Sequence, residues 1–244
     1  MKGLGNMEPI SIYYCFKFAD ETEEIFQFQL DPHTYELIAN TPEQAVEWTR
    51  LDFHQCSHCP LSADAHPYCP PAFNLMNIVK RFRTLLPYQE VHLDVITNER
   101  MFSQDTKVQA AVGSMIGLVM ATSGCPYMLY FRPMARFHLP LASTTETIYR
   151  SASMYLMAQY FLYKEGKKAD LDLQGLAEIY ENIHTVNAAL AERLLAASQR
   201  DSSVDAVVQL DIYAMTFLGI PEEPLEEMRP FFESYFQPII KKEM

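Results

Sequence analysis

The chain reads FHQCSHCPLSADAHPYCPP over residues 53–71. This stretch holds three of the five cysteines and three of the seven histidines of the protein. A short loop costs little conformational entropy to close, so closely spaced donors are easily brought to one point. Cysteine and histidine side chains are also ligands that zinc prefers in proteins. The stretch therefore predicts a metal site, and the surrounding sequence is interpreted as the scaffold that holds it.

The first arrangement of ligands comes from two close pairs. Cys56 and Cys59 form a C-x2-C pair, and His66 and Cys69 form an H-x2-C pair after a gap of six residues. Together they read C-x2-C-x6-H-x2-C, a Cys3His set suited to tetrahedral zinc. A closed set of four protein ligands contributes folding energy and takes no part in chemistry. This spacing favours a structural zinc site.

A second arrangement replaces the histidine by a fourth cysteine. Cys59, Cys69 and Cys125 are each followed by proline, although only 15 of the 244 residues are proline. A Cys-Pro step ends one characteristic run of iron–sulfur ligands, in which thiolates hold the cluster. Cys56, Cys59, Cys69 and Cys125 would supply four thiolates, but their spacing differs from the compact ferredoxin run. A third interpretation is that these cysteines are buried free thiols that bind no metal.

Length, composition and charge describe a globular chain. The 244 residues suit one large domain or two small ones, and 49% of them are hydrophobic. The net charge of −12 argues against general nucleic-acid binding, which needs a basic surface. The cysteines are clustered rather than spread, and the N-terminus does not read as a signal peptide. The sequence thus predicts a cytoplasmic protein with neither a nucleic-acid nor a membrane partner.

Three segments of the N-terminal region have the pattern of β-strands. Residues 10–18 and 24–30 alternate apolar and polar side chains on either side of an acidic break, which predicts an antiparallel hairpin. Residues 91–97 alternate in the same way and predict a third strand of the same sheet.

Helices complete the predicted α+β fold. Residues 41–51, with proline in the first turn, and residues 72–84 predict two short helices around the cysteine-rich loop. The expected organisation is a small antiparallel sheet with this loop over residues 1–105 and a mainly helical region over residues 106–244. The two regions could also form one continuous domain.

The second informative stretch predicts a central helix. Residues 108–131 have no formal charge, yet glycines and polar side chains dilute their hydrophobicity below that of a transmembrane helix. Gly113, Gly117 and Ala121 recur every four residues, so one face is bare enough for another helix to approach. A glycine and a proline flank Cys125, which places this thiol just beyond the C-terminus of the helix.

A basic segment follows the central helix. Arg132, Arg136 and His138 lie within residues 132–140, a segment that contains two prolines. Two guanidinium groups and an imidazole suit a phosphate or carboxylate ligand, which predicts an anion site. The simpler interpretation pairs both arginines with internal acids, and we prefer it. His138 is an alternative fourth metal ligand if this segment returns to the cysteines.

Four motifs follow one another in the middle of the chain. They read C-S-H-C-P-L, H-P-Y-C-P, S-G-C-P and R-P-M-A-R-F-H-L-P. In these motifs the chain resembles an uncharacterised bacterial protein family over roughly residues 48–165. The resemblance implies a bacterial origin and no particular activity.

The C-terminal region is predicted to be helical. Residues 143–146 read STTE, a capping box that opens a long helix. Apolar residues three and four apart over residues 173–198 form a coiled-coil seam with one polar position, Asn187. The seam suits a helical hairpin within the domain, which we prefer, or a homodimer contact. A buried helix over residues 203–218 contains Asp211, which needs a partner, and the aromatic residues beyond it are expected to pack onto the helices.

The sequence leaves three functions open. The leading expectation is a metal-binding protein in which structural zinc, held by the Cys3His set, supports a binding or regulatory module. The alternatives are an iron–sulfur redox sensor or enzyme with four thiolates, and a sensor of small anions at Arg132 and Arg136. The sequence contains no Walker loop, dinucleotide glycine fingerprint, serine-hydrolase elbow or H-E-x-x-H motif. Whether the protein is an enzyme, and which protein or small molecule it binds, stays open.

Overall fold

The computed structural model describes residues 8–38, 45–82, 85–197, 204, 207–208, 211 and 225–236. Its strands are β1 (Ile10–Lys17), β2 (Glu23–Leu30), β3 (Glu90–Thr97) and β4 (Met101–Lys107). They form one antiparallel sheet in the order β2-β1-β3-β4. Its main helices are α1 (Pro70–Phe82), α2 (Val108–Thr122), α3 (Arg132–Arg136), α4 (Thr144–Lys164) and α5 (Gln174–Ala197). The predicted α+β class is confirmed.

The alternating pattern of the strands places one face of the sheet in the core. Ile12, Tyr14 and Phe16 of β1 are buried, as are Val91 and Leu93 of the neighbouring β3. Side chains on a strand point alternately to opposite faces, so these residues lie on one side of the sheet. The same cluster of buried residues extends from β1 to α5, so both halves of the chain contribute to one core.

The sheet has one strand more than the sequence pattern predicts. Strand β4 reads MFSQDTK and is mostly polar and exposed. It pairs only with β3, at the edge of the sheet. An edge strand that faces solvent lacks the apolar alternation that identifies β1 and β3.

Helices α1 and α2 contribute the other side of this core. The ring of Phe82 in α1 lies 4.8 Å from that of Phe16 and 5.4 Å from that of Phe26, measured between centroids. Eleven of the fifteen residues of α2 are buried, so α2 is the central helix that the uncharged stretch predicts. Within the described residues, no helix combines the length and apolarity needed to cross a membrane.

The helix predicted for residues 41–51 is wrong over the part that the structure describes. Only a 3₁₀ turn, Glu47–Thr49, forms there, and residues 39–44 lie outside the described chain. The backbone of residues 49–51 instead pairs with the segment before α1. Cys69 N–H donates to Thr49 O over 2.8 Å, and Leu51 N–H donates to Pro67 O over 3.0 Å. Long-range pairing therefore overrides the local helical pattern.

The long C-terminal helices agree with their predictions. Ser143 caps α4, and its side chain and that of Glu146 form the predicted capping box. The seam of α5 is buried against the rest of the chain, including its polar position Asn187, which is 2% exposed. This burial agrees with the preferred packing of α5 within the domain.

The last predicted elements are only partly described. The helix predicted for residues 203–218 lies largely outside the described residues. Asp211 is described, and its carboxylate accepts a hydrogen bond from His184 Nδ1 over 2.8 Å, which supplies the partner it needs. The expectation that the aromatic C-terminal residues are packed is wrong for Phe231 and Tyr235, which are 68% and 83% exposed. Met228 takes the buried position in this segment instead.

Candidate metal centre

Four of the five cysteines line one small cavity. Cys56, Cys59, Cys69 and Cys125 border a space of about 20 Å³. The fold brings them from three places: the loop after the 3₁₀ turn, the start of α1 and the end of α2. The rest of the lining is largely apolar and consists of Leu51, Leu61, Pro70, Pro71, Tyr127, Val186, Leu190 and Arg193.

Local hydrogen bonds fix the first three of these thiols. Cys56 and Cys59 are the ends of a tight turn, in which Cys59 N–H donates to Cys56 O over 3.0 Å. Cys69 directly precedes α1, and its carbonyl accepts the N–H of Phe73 over 2.9 Å. The N–H of Ala72 in the first turn of α1 hydrogen-bonds the Cys69 thiol, which offsets part of the rise in its pKa that burial causes. Free N–H groups at a helix start favour a thiolate.

The fourth thiol is positioned by the end of α2. Gly124 has a φ of +86°, a left-handed conformation that turns the chain sharply after the helix. Cys125 N–H then donates to Ser123 Oγ over 3.3 Å, and Cys125 O accepts Met128 N–H over 3.0 Å. Backbone hydrogen bonds from Tyr127 and Met128 offset part of the rise in the pKa of the Cys125 thiol that burial causes.

Burial dominates the electrostatics of these thiols. It raises the pKa of Cys56 to about 12 and that of Cys125 to about 11, and it raises the pKa of Cys69 as well. Neighbouring thiols raise these pKa values further, because thiolates close together repel. All three therefore remain protonated at neutral pH unless a cation is present. A bound metal cation would deprotonate them.

A buried arginine lies in the wall of the same cavity. Arg193 is 1% exposed, and its guanidinium donates to the carbonyls of Trp48, Arg50 and Leu51 over 3.0, 2.6 and 2.9 Å. Among the described residues it has no carboxylate within ion-pair distance. A buried charge is costly without a counter-charge. Its field lowers the pKa of Cys69, so thiolates in this cavity would be favourable neighbours.

The histidine predicted as a zinc ligand lies elsewhere. His66 is exposed, and it does not line the cavity, whereas Cys125 does. The backbone N–H of His66 donates to Ser62 O over 2.8 Å, which holds it in a turn of the loop. Of the residues in the two predicted arrangements, Cys56, Cys59, Cys69 and Cys125 border the cavity and His66 does not. In the described part of the chain, no three His, Cys, Asp or Glu side chains are close enough to hold one metal ion.

A different histidine contacts the wall of the cavity. His58 lies between Cys56 and Cys59, and its ring stacks on Tyr127 with 4.1 Å between the ring centroids. Its Nε2 lies 3.2 Å from Asn182 O and donates to it, so Nδ1 is the ring nitrogen that remains. This Nδ1 is buried, and no described residue donates to it. Tyr127 Oη in turn donates to His58 O over 2.7 Å.

The predicted anion site does not come together with the cysteines. Arg132 forms an ion pair with Glu36, and Arg136 pairs with Glu99 over 2.7 Å. Both arginines therefore have the internal acidic partners that the simpler interpretation expects. His138 does not line the thiol cavity; it is half-buried, with Nε2 2.5 Å from Tyr14 Oη.

The role of Arg193 is the main feature of this site that motif searching misses. One signal for it is present in the sequence. Val186, Leu190 and Arg193 recur four and three residues apart on α5, so the arginine shares a helical face with two apolar residues, and all three line the cavity. A lone cation on an apolar stripe predicts a buried partner, although it does not say which one.

Comparisons with known proteins place the chain in a family without assigning an activity. The model of a family described as a domain of unknown function (DUF6901) matches residues 12–233. The match agrees with the resemblance to an uncharacterised family, and it does not test the four motifs on which that resemblance rests. No curated protein and no solved structure matches the chain.

Proposed function

This chain belongs to the DUF6901 family, and we propose that it is a metal-binding protein whose Cys56, Cys59, Cys69 and Cys125 thiolates hold a structural zinc ion. The observation that supports the proposal is the shared cavity of these four thiols. In zinc–thiolate sites the Zn–S distance is about 2.3 Å and the geometry is tetrahedral. The thiols would therefore move closer together when the ion binds.

The charges of the site suit this role. Four thiolates and one divalent zinc ion have a net charge of about −2, and the buried guanidinium of Arg193 would offset part of it. The backbone N–H groups that hydrogen-bond the sulfurs of Cys69 and Cys125 would remain in place after deprotonation. Each of these groups stabilises negative charge on sulfur, which is the form that binds metal.

A closed site of this kind has a mechanical function. Four protein ligands leave no position for a substrate, so the metal contributes folding energy. It would tie the C-x2-C loop and the starts and ends of α1 and α2 together, next to α5. The remaining surface would then serve as a cytoplasmic binding or regulatory module, in a compartment that keeps the five free cysteines reduced.

An iron–sulfur cluster is the second candidate, and one observation favours it. The four thiols surround a space, and within the described chain they do not converge closely enough for a single ion. A cluster is held by thiolates distributed around its volume, and hydrogen bonds to the sulfurs tune its reduction potential. A redox sensor or a redox enzyme would follow from this metal. The third candidate, a sensor of small anions, would require a ligand to displace the carboxylates that already pair with Arg132 and Arg136.

Elemental analysis and a visible spectrum of protein purified without air test the proposal. We expect about one zinc per chain and no colour. Iron, acid-labile sulfide and a brown charge-transfer band would instead show that the protein holds an iron–sulfur cluster. Protein that contains neither metal, and that takes up neither zinc nor iron with sulfide after reduction, would overturn both candidates.

Two matched variants identify the ligands. Cys125→Ser should lose the metal, since it removes one of four donors, whereas His66→Ala should retain it because His66 is outside the cavity. Cys15→Ser is the control for thiol loss as such, because Cys15 lies on β1, away from the cavity. The reverse outcome, with metal lost in His66→Ala and kept in Cys125→Ser, would show that His66 and not Cys125 is the fourth ligand.

A further inference from the structure

A second and much larger cavity lies beside α2. It has a volume of about 510 Å³ and is bordered by α2, α4, α5 and the segment around α3. Gly113, Gly117 and Ala121 form part of its wall. The spacing of these small residues leaves one face of α2 without bulky side chains, and that face borders the cavity. The absence of large side chains on this face of α2 is therefore what makes room for the cavity.

The charge of this cavity differs from that of the whole protein. Its described lining includes two cations, Lys107 and Arg150, and neither aspartate nor glutamate. The chain as a whole has a net charge of −12. Two cations with no acid beside them in the described lining favour an anion over a cation as the ligand.

Arg150 is positioned to bind such an anion. Its Nη2 donates to the carbonyls of Met134 and Phe137 over 2.9 and 3.1 Å, which fixes the guanidinium against the end of α3. Its Nε and Nη1 have no hydrogen-bond partner among the described residues. A guanidinium has five N–H donors in a planar fork that matches the two oxygens of a carboxylate. The N–H groups of Nε and Nη1 lie on different edges of the guanidinium, so a carboxylate can accept a charge-assisted hydrogen bond from one of these nitrogens.

The rest of the wall suits an apolar body. Met120, Met128, Phe131 and Ile183 line the cavity together with the small residues of α2. Ligand cavities in proteins typically measure about 300–1,000 Å³ and combine apolar walls with a few fixed polar groups. Methionine side chains adapt to irregular apolar shapes, so the wall can accommodate a flexible chain.

We infer that this cavity binds a small aliphatic monocarboxylate, with its carboxylate on Arg150 and its alkyl chain along the bare face of α2. This binding is separate from the metal centre, whose cavity has a different lining. It also differs from the anion site predicted at Arg132 and Arg136, since neither of these arginines lines the cavity.

Calorimetric titration of the metal-containing protein tests the inference. The probes are hexanoate, octanoate, decanoate and dodecanoate, each compared with the alcohol and the primary amine of the same length. Affinity should rise about fourfold per added methylene until the cavity is full. The carboxylate should bind about tenfold more tightly than the alcohol, and the amine should bind most weakly.

Three variants locate the site. Arg150→Gln should weaken carboxylate binding about tenfold and leave alcohol binding unchanged, whereas Arg132→Gln, a control at an arginine paired with Glu36, should change neither. Gly117→Leu should weaken both ligands because it fills the wall of the cavity. Equal binding of carboxylate and alcohol, or no binding of any probe, would overturn the inference. If Arg150→Gln does not fold, the ranking of the three headgroups on the unmodified protein decides the question alone.

Discussion

Residues of α5 line both cavities, and the described wall of each cavity contains one arginine. The two arginines differ in how many of their N–H donors already bind the protein. Arg193 donates to three backbone carbonyls through both Nη atoms. Arg150 uses only Nη2, for two carbonyls. A guanidinium that the backbone holds on several sides acts as a fixed structural charge. One that is held at a single nitrogen retains donors for a ligand.

Removing the fixed charge should have the largest effect on stability. Arg193→Met deletes a buried guanidinium and leaves the carbonyls of Trp48, Arg50 and Leu51 without their donor. We expect a loss of about 4 kcal/mol in the free energy of unfolding, from unsatisfied carbonyls at roughly 1–3 kcal/mol each. Urea unfolding of the variant and of the unmodified protein measures it.

The control for this prediction is a neighbouring arginine on the surface. Arg50→Met removes an exposed ion pair with Asp52 and should cost less than about 1 kcal/mol. If both variants lost the same small amount of stability, Arg193 would not act as a fixed structural charge. Metal content measured in Arg193→Met would show in addition whether the charge supports the thiolates.

The wall of the larger cavity predicts sensitivity to acid. Burial, with a smaller contribution from the positive charge of Arg150, lowers the pKa of His138 from 6.5 to about 3. As the pH falls, the unfolded chain therefore takes up the proton first. The stability that depends on neutral His138 is complete above about pH 6.5 and is lost progressively toward pH 3. Between pH 7 and pH 4 the loss should be about 3 kcal/mol.

Unfolding of unmodified protein and of His138→Gln at these two pH values isolates that contribution. The variant should lose about 3 kcal/mol less than the unmodified protein, because glutamine does not titrate. His33→Gln, at an exposed histidine, should follow the unmodified protein. The same pH dependence in all three proteins would mean that His138 does not cause the loss of stability at low pH.

The smallest expected effect sharpens the description of the thiol cavity. Tyr127→Phe removes one neutral hydrogen bond to His58 O while keeping the ring stack, so we expect a loss of about 1 kcal/mol. Tyr130→Phe is the matched control, since Tyr130 is 56% exposed and should change stability by less than about 0.5 kcal/mol. Equal effects in thermal or urea unfolding would show that this bond does not hold the C-x2-C loop.

The comparison of the cavities also shows what a sequence can predict. The cysteine-rich stretch can be identified in the sequence as a candidate metal site, because the residue types and their short spacings are typical of metal ligands. The choice between His66 and Cys125 is not written there, since it depends on where the end of α2 lies relative to a loop much earlier in the chain. Only the fold places Cys125 in the cavity and leaves His66 on the surface.

The larger cavity has no comparable motif. Gly113 and Gly117 predict a face without bulky side chains, but the same pattern fits a closely packed helix and an open space equally well. The difference depends on what lies opposite that face. The edge strand β4 is missed because it is polar and exposed and so lacks apolar alternation. The misassigned helix near residue 47 has another cause, since its backbone pairs with residues 67–69.

The contacts of Arg193 have a consequence for the order in which the protein is assembled during synthesis. They join residues that are 142 to 145 positions apart in the chain. A domain is made from its N-terminus, and contacts of such long range are late and slow to form. The loop that leads into the C-x2-C turn therefore leaves the ribosome long before the residue that secures it. We therefore expect the thiols of Cys56 and Cys59 to stay exposed to solvent in the nascent chain until α5 has been translated. During this time metal ions or oxidants can react with them.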